Sequence, residues 1–415
     1  MKILLISIGT RGDMEPFLAI GSLLASNGHQ VAVAFPQQFE SLAFDADMPF
    51  YSLGSEFLDL IESEDGKRVM GGKSGFKKIM ATLRLARKGQ PAQDILALKQ
   101  KQAVDQYKPD LIIHHSKAAY PLIWEVLNPK KTVMVSPVPY LHYVEGHSHL
   151  GFNRNFGPFF NKLTYTIADW GLVQFANRVL KKLKIKEVTK DQVKRVLKTH
   201  KVIYTISPKL FTGDSKWPKN LHILGYHERN KTRKWQPSSE LETFISTHSK
   251  ILLITFGSMG NLNPKGNTQL LVDVVEKHQI PTIINTAGGG LIRPESYDAN
   301  LIHFVSRIPY DWIFPKVYAV IHHGGSGTTH TALKYGCASM LIPHIIDQFV
   351  WNKMVASQNC GPLGIPISKV SFSLLEPKLL DLWGNSSYKA AAEKIGEAMR
   401  LEDLEDQLLE ELTNP

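Results

Sequence analysis

Apolar and polar positions alternate along the chain in a pattern that predicts strands separated by helices. Short apolar runs predict buried strands at residues 31–35, 111–114, 132–136, 202–206, 251–256, 282–285, 302–305, 319–322 and 339–343. Between these runs, apolar residues recur at helical spacing, as Phe17, Ile20 and Leu24 do in a helix predicted over residues 16–27. Strands that alternate with helices indicate an α/β fold with doubly wound parallel sheets.

Two segments far apart in the chain resemble each other. Residues 2–16 read KILLISIGTRGDMEP and residues 250–264 read KILLITFGSMGNLNP, with eight of fifteen positions identical. A buried strand that ends in a glycine turn is a common pattern, so convergence is the alternative explanation. The preferred interpretation is two copies of one strand–helix arrangement, each opening with a central parallel strand.

The composition of the segments suggests where the domains begin and end. We expect an N-terminal domain over residues 1–225, a polar linker over 226–241 and a C-terminal domain over 242–387. Residues 388–415 are predicted to be helical and acidic at their end, and they either pack back on the first domain or remain solvated. Residues 140–200 form an aromatic-rich helical insertion in the first domain.

Charge and cysteine content limit the classes of partner and compartment. The 48 Lys and Arg residues against 38 Asp and Glu give a net charge of +10, which is compatible with nucleic acid, anionic lipid or phosphate-bearing ligands. The two cysteines, Cys337 and Cys360, exclude a disulfide framework and a cysteine-rich zinc site, so a cytoplasmic location is expected. No run of about 18 apolar residues occurs, which argues against a membrane-spanning helix.

Much of the positive charge lies in two stretches of the first half. Residues 67–88 contain eight basic and no acidic residues, and residues 178–201 contain ten basic residues. These stretches are either solvated helix faces or surfaces attracted to an anionic membrane, beside a site for an apolar acceptor. They carry no recognised motif for nucleic acid, and nucleic-acid binding is therefore not expected.

A glycine-rich turn after an apolar run is the strongest candidate for a binding site. Residues 322–329 read HHGGSGTT, between a predicted strand and a predicted helix. Backbone N–H groups at a helix N-terminus bind phosphate, and glycines let the phosphate approach closely. A tight turn without a ligand is the alternative. The spacing matches neither a Walker A loop nor the GxGxxG fingerprint, so hydride transfer is the weaker interpretation.

A resemblance to a known family extends over this turn. Residues 308–352 read IPYDWIFPKVYAVIHHGGSGTTHTALKYGCASMLIPHIIDQFVWN, and residues 9–24 read GTRGDMEPFLAIGSLL. Both resemble nucleotide-sugar-dependent glycosyltransferases of the GT-B fold, in the branch of sterol glucosyltransferases and glycopeptide-antibiotic glycosyltransferases. The resemblance implies two Rossmann-like domains that face each other across a cleft, with the acceptor on the first domain and the donor on the second.

The resemblance also implies roles for individual residues. Asp13 matches the catalytic base, Trp312 the ring against the uracil, and His323 the diphosphate contact. Further donor-binding positions are Thr10, Gly12, Gly257, Ser258, Gly325, Ser326, Gly327, Thr328, Asp347 and Gln348. The acceptor-binding candidates in the insertion are Tyr140, His142, Phe152 and Phe156.

Two departures from the family pattern affect the expected chemistry. Thr331 stands where many relatives have a ribose-binding glutamate, which leaves uracil and thymine open as the base. Many relatives also use an N-terminal histidine as catalytic base, and no histidine precedes His29. Asp13 must then act alone as base, unless a histidine such as His142 comes from elsewhere in the fold.

The residue types favour a reaction without a metal ion. A helix N-terminus, its amides and His323 can stabilise the leaving diphosphate, and no DxD-like pair lies on an obvious loop. His147 and His149 lack a convincing third ligand. Asp13 is either the general base or a helix cap, and a helix dipole would weaken it as a base. Its counterpart in the repeat, Asn261, cannot accept a proton.

Together these observations predict an inverting, metal-independent glycosyltransferase. It would move a hexose, glucose first, from a UDP-sugar co-substrate to a hydroxyl of an apolar acceptor such as a sterol, terpenoid, polyketide or lipid. No other cofactor is expected. The alternatives are a GT-B-fold nucleotide-sugar epimerase and a non-catalytic protein that binds a nucleotide-sugar or lipid.

Overall fold

The computed structural model describes residues 1–71, 76–152, 154–229 and 235–414, and for residues 67, 70, 71, 76–83 and 85–88 it describes the backbone alone. Residues 72–75 of the basic stretch 67–88 and residues 230–234 of the predicted linker lie outside the described residues. The chain divides into two compact units. The first unit comprises Met1–Ser63, Thr82–Arg229 and Asp403–Pro415, and the second comprises Glu64–Ala81 and Asn230–Glu402.

Parallel strands form one sheet in each unit. In chain order the strands are β1 (Lys2–Ile6), β2 (Gln30–Phe35), β3 (Phe50–Ser52), β4 (Leu111–His115), β5 (Thr132–Ser136), β6 (Lys201–Tyr204), β7 (Leu221–Ile223), β8 (Leu252–Thr255), β9 (Thr282–Asn285), β10 (Ile302–Val305), β11 (Ala319–His322) and β12 (Ala338–Leu341). The first sheet has the order β3-β2-β1-β4-β5-β6-β7 and the second has the order β10-β9-β8-β11-β12. The predicted α/β class and doubly wound sheets are thereby confirmed.

Helices connect the strands in both units. They are α1 (Arg11–Ser26), α2 (Glu40–Phe44), α3 (Glu56–Glu62), α4 (Glu64–Gly71), α5 (Phe76–Tyr107), α6 (Tyr120–Leu127), α7 (Pro158–Lys182), α8 (Lys190–Thr199), α9 (Ser239–Thr247), α10 (Pro264–Lys277), α11 (Tyr310–Ile313), α12 (Ser326–Lys334), α13 (Ile346–Ser357), α14 (Phe372–Gly384), α15 (Ser386–Arg400) and α16 (Glu405–Thr413).

The central strands are apolar because both faces of each sheet are covered. In β1, the side chains of Ile3 and Leu5 belong to one core cluster, and those of Leu4 and Ile6 belong to another. The strand order of the first sheet reverses between β1 and β4, and that of the second reverses between β8 and β11. In sheets of this kind, ligands bind beyond the carboxyl ends of the strands at this switch point. The topology therefore predicts that ligands bind at the loops after β1, β4, β8 and β11.

The first helix begins earlier than the sequence predicts. Helix α1 starts at Arg11 rather than at Pro16, and Pro16 lies inside it. Thr10 is the N-cap, and its backbone N–H donates to the Asp13 carboxylate at 2.7 Å, which starts the helix upstream of the proline. In the second copy, Pro264 does occupy the first helical position of α10, and the side chain of Asn263 accepts from the Gly266 N–H at 3.2 Å.

Helix α7 is apolar on two opposite sides. Tyr165, Val173 and Ala176 are buried in the first unit, where α7 packs against α6 and α8. On the other side the large apolar side chains are exposed, with Phe159 at 77% and Trp170 at 64%. The exposed stripe consists of Phe159, Phe160, Leu163, Ile167 and Trp170. We call it the α7 apolar stripe.

The C-terminal stretch forms two helices that belong to different units. Helix α15 packs against α12 in the second unit. Helix α16 belongs to the first unit, where Leu408 and Leu412 are fully buried in the core beside β1, β2 and β4. Lys201 at the start of β6 contacts the Glu411 carboxylate at 2.6 Å. Burial of the two leucines makes α16 part of the hydrophobic core of the first unit.

Candidate active site

The first group of polar side chains lies at the switch point of the first sheet. Strands β1 and β4 are parallel neighbours, with Ile6 opposite His114, so the loops that follow them emerge side by side. Asp13 follows β1 and lies in the first turn of α1, while His115 and Lys117 lie at the end of β4 and just after it. The sheet therefore brings together residues that are about one hundred positions apart.

The Asp13 carboxylate has four polar neighbours, three of which donate hydrogen bonds to it. Oδ2 accepts from the Thr10 N–H at 2.7 Å and from the Thr10 hydroxyl at 3.3 Å. Oδ1 lies 2.9 Å from Lys117 Nζ and 3.2 Å from His115 Nε2. Each carboxylate oxygen thus has two polar neighbours, and the two oxygens serve different purposes. Oδ2 accepts the hydrogen bond from the N-cap residue of α1, whereas Oδ1 faces the loop after β4.

Gly9 makes room for this carboxylate. Its φ of +138° is in the region that side-chain-bearing residues rarely adopt, and a Cβ there would lie 2.1 Å from Asp13 Oδ2 and 2.8 Å from Lys117 Nζ. The Ser7 hydroxyl adds a further constraint by donating to the Asp13 carbonyl oxygen at 2.8 Å. Backbone geometry around β1 therefore fixes the position of Asp13.

Asp13 is ionised at neutral pH. Burial raises the pKa of its carboxyl, but the Lys117 ammonium and the contact with His115 lower it by more, so the pKa lies well below the usual range of an aspartate. The helix N-terminus acts in the same direction. A carboxylate with this pKa can accept a proton in a transition state but keeps it only briefly.

His115 lies beside the carboxylate as a neutral imidazole, and its Nε2 forms no hydrogen bond. Burial lowers its pKa, the Lys117 ammonium lowers it further, and Asp13 offsets only part of this. The Lys117 backbone N–H donates to His115 Nδ1 at 3.1 Å, so the ring proton of the neutral form is on Nε2, the nitrogen nearest to Asp13. With that proton in place, Nε2 cannot act as a base.

His115 and Lys117 are absent from the residues predicted from sequence. The available signal is the polar run HHSK directly after a buried strand, at residues 114–117. The run indicates a site beside Asp13 only when β4 is known to be the neighbour of β1.

The second group lies at the switch point of the second sheet. Strand β11 ends at His322 and helix α12 begins at Ser326, with Gly324 at a φ of +89° between them. Gly325 is the N-cap and provides no side chain to satisfy the first amides of the helix. The N–H groups of Ser326, Gly327 and Thr328 therefore form the open positive end of a helix dipole, which suits a phosphate.

His323 is held between two glycines beside this helix end. A Cβ on Gly257 would lie 2.9 Å from its ring, and a Cβ on Gly325 would lie 2.4 Å from it. Burial, together with His322 and His344, holds the pKa of His323 well below its usual value, and the ring is neutral. Nδ1 is buried without a hydrogen-bond partner in the described part of the chain. His323 can offer a ligand an N–H donor, without a positive charge.

A second glycine loop, not identified from the sequence, packs against the turn after β8. Residues 287–290 read AGGG, and a Cβ on Gly288 would lie 2.4 Å from the Gly257 carbonyl oxygen. Asn261, the counterpart of Asp13 in the repeat, donates to the Gly290 carbonyl oxygen at 2.7 Å. Asn261 therefore ties the two loops together, and Ser258 remains exposed between them.

The remaining residues predicted to bind the donor are Trp312, Gln348 and Asp347, and they differ in burial and contacts. Trp312 is half-buried, with its ring 4.9 Å from the Trp235 ring and 4.5 Å from the Lys316 ammonium. Gln348 is buried, and its side-chain oxygen accepts from the amides of His344 at 2.7 Å and Ile345 at 3.2 Å. Only the amide nitrogen of Gln348 is then left for a sugar hydroxyl. Asp347 is half-buried in the first turn of α13.

Family models match both halves of the chain. Residues 3–108 match the glycosyltransferase family 28 N-terminal domain, and residues 297–412 match the C-terminal domain of erythromycin biosynthesis protein CIII-like proteins. A sterol 3-beta-glucosyltransferase of Arabidopsis thaliana is 28% identical over 97% of this chain and 64% of its own length. The O-mycaminosyltylonolide 6-deoxyallosyltransferase of Streptomyces fradiae is 23% identical over 97% of this chain and 94% of its own.

Solved structures share the fold. The glycosyltransferase SnogD from Streptomyces nogalater superposes with a TM-score of 0.65 at 16% identity, over 100% of this chain and 99% of its own. The glycosyltransferase VinC, solved with dTDP, superposes with a TM-score of 0.67 at 16% identity, over 100% of this chain and 98% of its own. The chain has the GT-B fold and is similar to glycosyltransferases along most of its length. The resemblance read from residues 9–24 and 308–352 is confirmed.

The chain spans only part of the length of several relatives. It spans about three fifths of the two plant sterol 3-beta-glucosyltransferases, at 64% and 62%, and about one third of the one from Pichia angusta, at 32%. Among its described residues, no helix is long and apolar enough to cross a membrane.

The predicted acceptor-binding residues fall into two places. Tyr140 and His142 join an aromatic cluster in which His142 Nδ1 lies 2.6 Å from the hydroxyl of Tyr204. Burial, with His200 and His149, lowers the pKa of His142 to about 4. Phe152 and Phe156 are exposed and contact each other, with ring centroids 6.5 Å apart. The contacts of His142 thus tie it to Tyr204 and not to Asp13.

The histidines considered as metal ligands have other contacts. His147 stacks on Tyr140 at 4.4 Å, and His149 Nδ1 accepts from the Gly151 N–H at 3.2 Å. Within the described ranges, no group of three or more His, Cys, Asp or Glu side chains is placed to hold a metal ion. Metal independence stays a prediction.

Proposed function

We propose that the protein transfers a hexose, with glucose as the first candidate, from a UDP-sugar to a hydroxyl of an apolar acceptor. The observation that carries this proposal is the Asp13 carboxylate held between Thr10 and Lys117 at the switch point of the first unit. The uncapped N-terminus of α12, at the corresponding point of the second unit, supports binding of the donor diphosphate.

The proposed reaction is a single displacement. The acceptor oxygen attacks the anomeric carbon, the acceptor proton passes to Asp13, and the bond from the anomeric carbon to the diphosphate breaks with its electrons on the diphosphate oxygen. Attack from the side opposite the leaving group inverts the anomeric centre. A UDP-α-D-glucose donor would then yield a β-glucoside.

The leaving group would be stabilised by fixed dipoles. The first amides of α12 and the N–H of His323 are in place before the reaction, so they need no reorganisation as charge develops on the diphosphate. Because His323 is neutral, this stabilisation comes from hydrogen bonds and the helix dipole. We propose on this basis that the reaction proceeds without a divalent ion.

The relatives narrow the substrates that we propose. Several carry the name sterol 3-beta-glucosyltransferase, which supports glucose as the sugar and a fused-ring alcohol as the acceptor. Thr331 is buried in α12 and its hydroxyl donates to the Gly327 carbonyl oxygen at 2.9 Å, so it does not replace a ribose-binding carboxylate. We propose uracil as the base, and thymine remains the alternative to be tested beside it.

We further propose that the protein contacts the membrane that contains its acceptor. The α7 apolar stripe exposes aromatic and aliphatic side chains, and the ten basic residues of 178–201 follow it in the sequence. Exposed aromatics beside cationic side chains are typical of surfaces that bind anionic bilayers.

The test of the proposed function is Asp13→Asn. The amide preserves the shape of the side chain but is a very poor base. We expect UDP binding by calorimetry to be retained and glucosyl transfer to fall by roughly 10²–10⁴-fold. Glu15→Gln is the matched control, because Glu15 lies in the same turn, has the same 13% side-chain exposure and pairs with Arg11 and Arg229. Full transfer by Asp13→Asn would eliminate Asp13 as the base.

A further inference from the structure

Both oxygens of the Asp13 carboxylate already accept hydrogen bonds. Thr10 donates to Oδ2 through its amide and its hydroxyl, and the Lys117 ammonium donates to Oδ1, while the His115 ring lies 3.2 Å from Oδ1 without forming a hydrogen bond. An acceptor that gives its proton to Asp13 must first form a hydrogen bond to one of these oxygens. One of the three present donors therefore has to give way to the acceptor hydroxyl.

Lys117 is the neighbour that can leave. The Thr10 amide belongs to the backbone and starts α1, and the His115 side chain is only 1% exposed. The Lys117 side chain is 48% exposed, so its ammonium can move into water at little cost in solvation. The ammonium position beside Oδ1 is thus the position that an acceptor hydroxyl can take.

The other charged groups near Asp13 are fixed elsewhere. On α1, Arg11 contacts Glu15 at 3.0 Å, and Arg229 contacts the same carboxylate at 3.1 Å. From β4, His115 faces Asp13 as a neutral ring. Lys117 is therefore the charged group in direct contact with the carboxylate among the described residues.

We propose that Lys117 is a positioning residue that keeps Asp13 in an ion pair until the acceptor hydroxyl takes its place. This inference rests on the proposed function of Asp13 as base. In the ion pair, Oδ1 is blocked and the carboxylate is a poor base, so a water molecule at the site is not activated. When an acceptor hydroxyl displaces the ammonium, Oδ1 becomes available and more basic at the same time.

Each proton and each bond is accounted for when the acceptor displaces Lys117. The Lys117 ammonium keeps its proton and moves to solvent, while the acceptor proton goes to Asp13 Oδ1 and the glycosidic bond forms as the bond to the diphosphate breaks. The proton leaves Asp13 for water after product release, and the ion pair forms again. Without an acceptor, the same steps with water would hydrolyse the donor. Lys117 thus suppresses hydrolysis of the donor.

The experiment compares Lys117→Met, Lys117→Arg and wild-type enzyme over a range of pH. For each, kcat and kcat/KM for the acceptor are measured, together with UDP release from the donor without acceptor. Lys101→Met is the control, because Lys101 forms an exposed ion pair with Asp105 and has a comparable exposure of 35%. The double variant Asp13→Asn/Lys117→Met shows whether hydrolysis passes through Asp13.

The proposal predicts two changes in Lys117→Met. The pH at which kcat/KM falls on the acid side rises, because kcat/KM reports the pKa of Asp13 in the free enzyme, where the ion pair is lost. The corresponding pH for kcat changes little, because kcat reports the enzyme–substrate complex, from which the ammonium has already left. Hydrolysis relative to transfer rises several-fold, and the second substitution removes the rise. Lys117→Arg and Lys101→Met behave as wild type.

Other outcomes overturn the proposal. If neither the acid limb nor the hydrolysis ratio moves in Lys117→Met, Lys117 is a surface ion pair without this role. If both acid limbs move together, Lys117 stays on Asp13 in the complex, and the displacement is wrong. An active Asp13→Asn enzyme would instead refute the proposed function, so the two failures are distinguishable.

Discussion

At the scale of single residues, the site depends on backbone positions that only glycine can occupy. Gly9 combines a φ of +138° with a distance of 2.1 Å between its would-be Cβ and the Asp13 carboxylate. The two effects are separable, because backbone strain costs stability wherever it occurs, whereas a clash with Asp13 also moves the proposed base.

We expect Gly9→Ala to lose both stability and transfer. The strained backbone should lower the free energy of unfolding by about 1–3 kcal/mol, and the displaced carboxylate should reduce glucosyl transfer strongly. Thermal unfolding and an initial-rate assay measure the two effects. Gly28→Ala is the matched control, since Gly28 has a φ of +82° and its would-be Cβ has no neighbour within 4 Å. It should lose about 1–2 kcal/mol and keep its activity. Equal loss of transfer in both variants would contradict this account.

The residues of the site differ in how far the sequence could predict them. The glycine-rich turn before α12 was predictable, because three glycines within four residues after an apolar run form a local pattern. His115 and Lys117 were not, because the order of the strands, rather than the chain, makes them neighbours of Asp13. For Gln348, the residue type predicted a sugar contact, but its side-chain oxygen is used by two backbone amides.

At the scale of elements, the strands that were missed, β3 and β7, are three-residue strands at the two edges of the first sheet. Strands such as β5 and β11 are buried along their whole length and appear as continuous apolar runs. The edge strands β3 and β7 have three half-buried residues each, so no apolar run marks them. The start of α1 was misplaced because Pro16 suggested a first helical position, whereas the contact between Thr10 and Asp13 sets the start.

Helix α7 carries the prediction for membrane contact. We expect a variant with Phe159, Phe160 and Trp170 changed to serine to lose retention on vesicles that contain phosphatidylglycerol, because the stripe no longer buries apolar area in the bilayer. Sedimentation with vesicles measures the loss. Phe44→Ser is the matched control, since Phe44 is 81% exposed on α2. Equal retention of the triple variant, the control and the wild type would rule out the stripe as the contact.

At the scale of the whole molecule, the sequence predicted two similar α/β halves, and the structure has one parallel sheet in each unit. The unit that each C-terminal helix joins was less predictable. The sequence suggested one C-terminal helix, but α15 and α16 belong to different units. Two leucines one helical turn apart on α16 indicate a buried stripe, yet nothing in the pattern tells which core they join.

We expect the double variant Leu408→Ala/Leu412→Ala to destabilise the first unit. Each substitution removes a fully buried side chain and should cost about 2–5 kcal/mol. Chemical unfolding of the full chain, followed by a probe in the first unit such as Trp124, measures the loss. Leu401→Ala is the control, because Leu401 is 78% exposed and should change the stability by less than about 0.5 kcal/mol. An unchanged unfolding midpoint in the double variant would show that α16 contributes little to the core.

The position of α16 also bears on how the protein is made. A ribosome releases the strands of the first sheet early, and an N-terminal domain usually folds as it emerges. Here the core around β1, β2 and β4 lacks Leu408 and Leu412 until the last turns of α16 have been synthesised. The nascent first unit therefore has an incomplete core while the second unit is translated. During that interval it exposes apolar side chains that the finished protein buries.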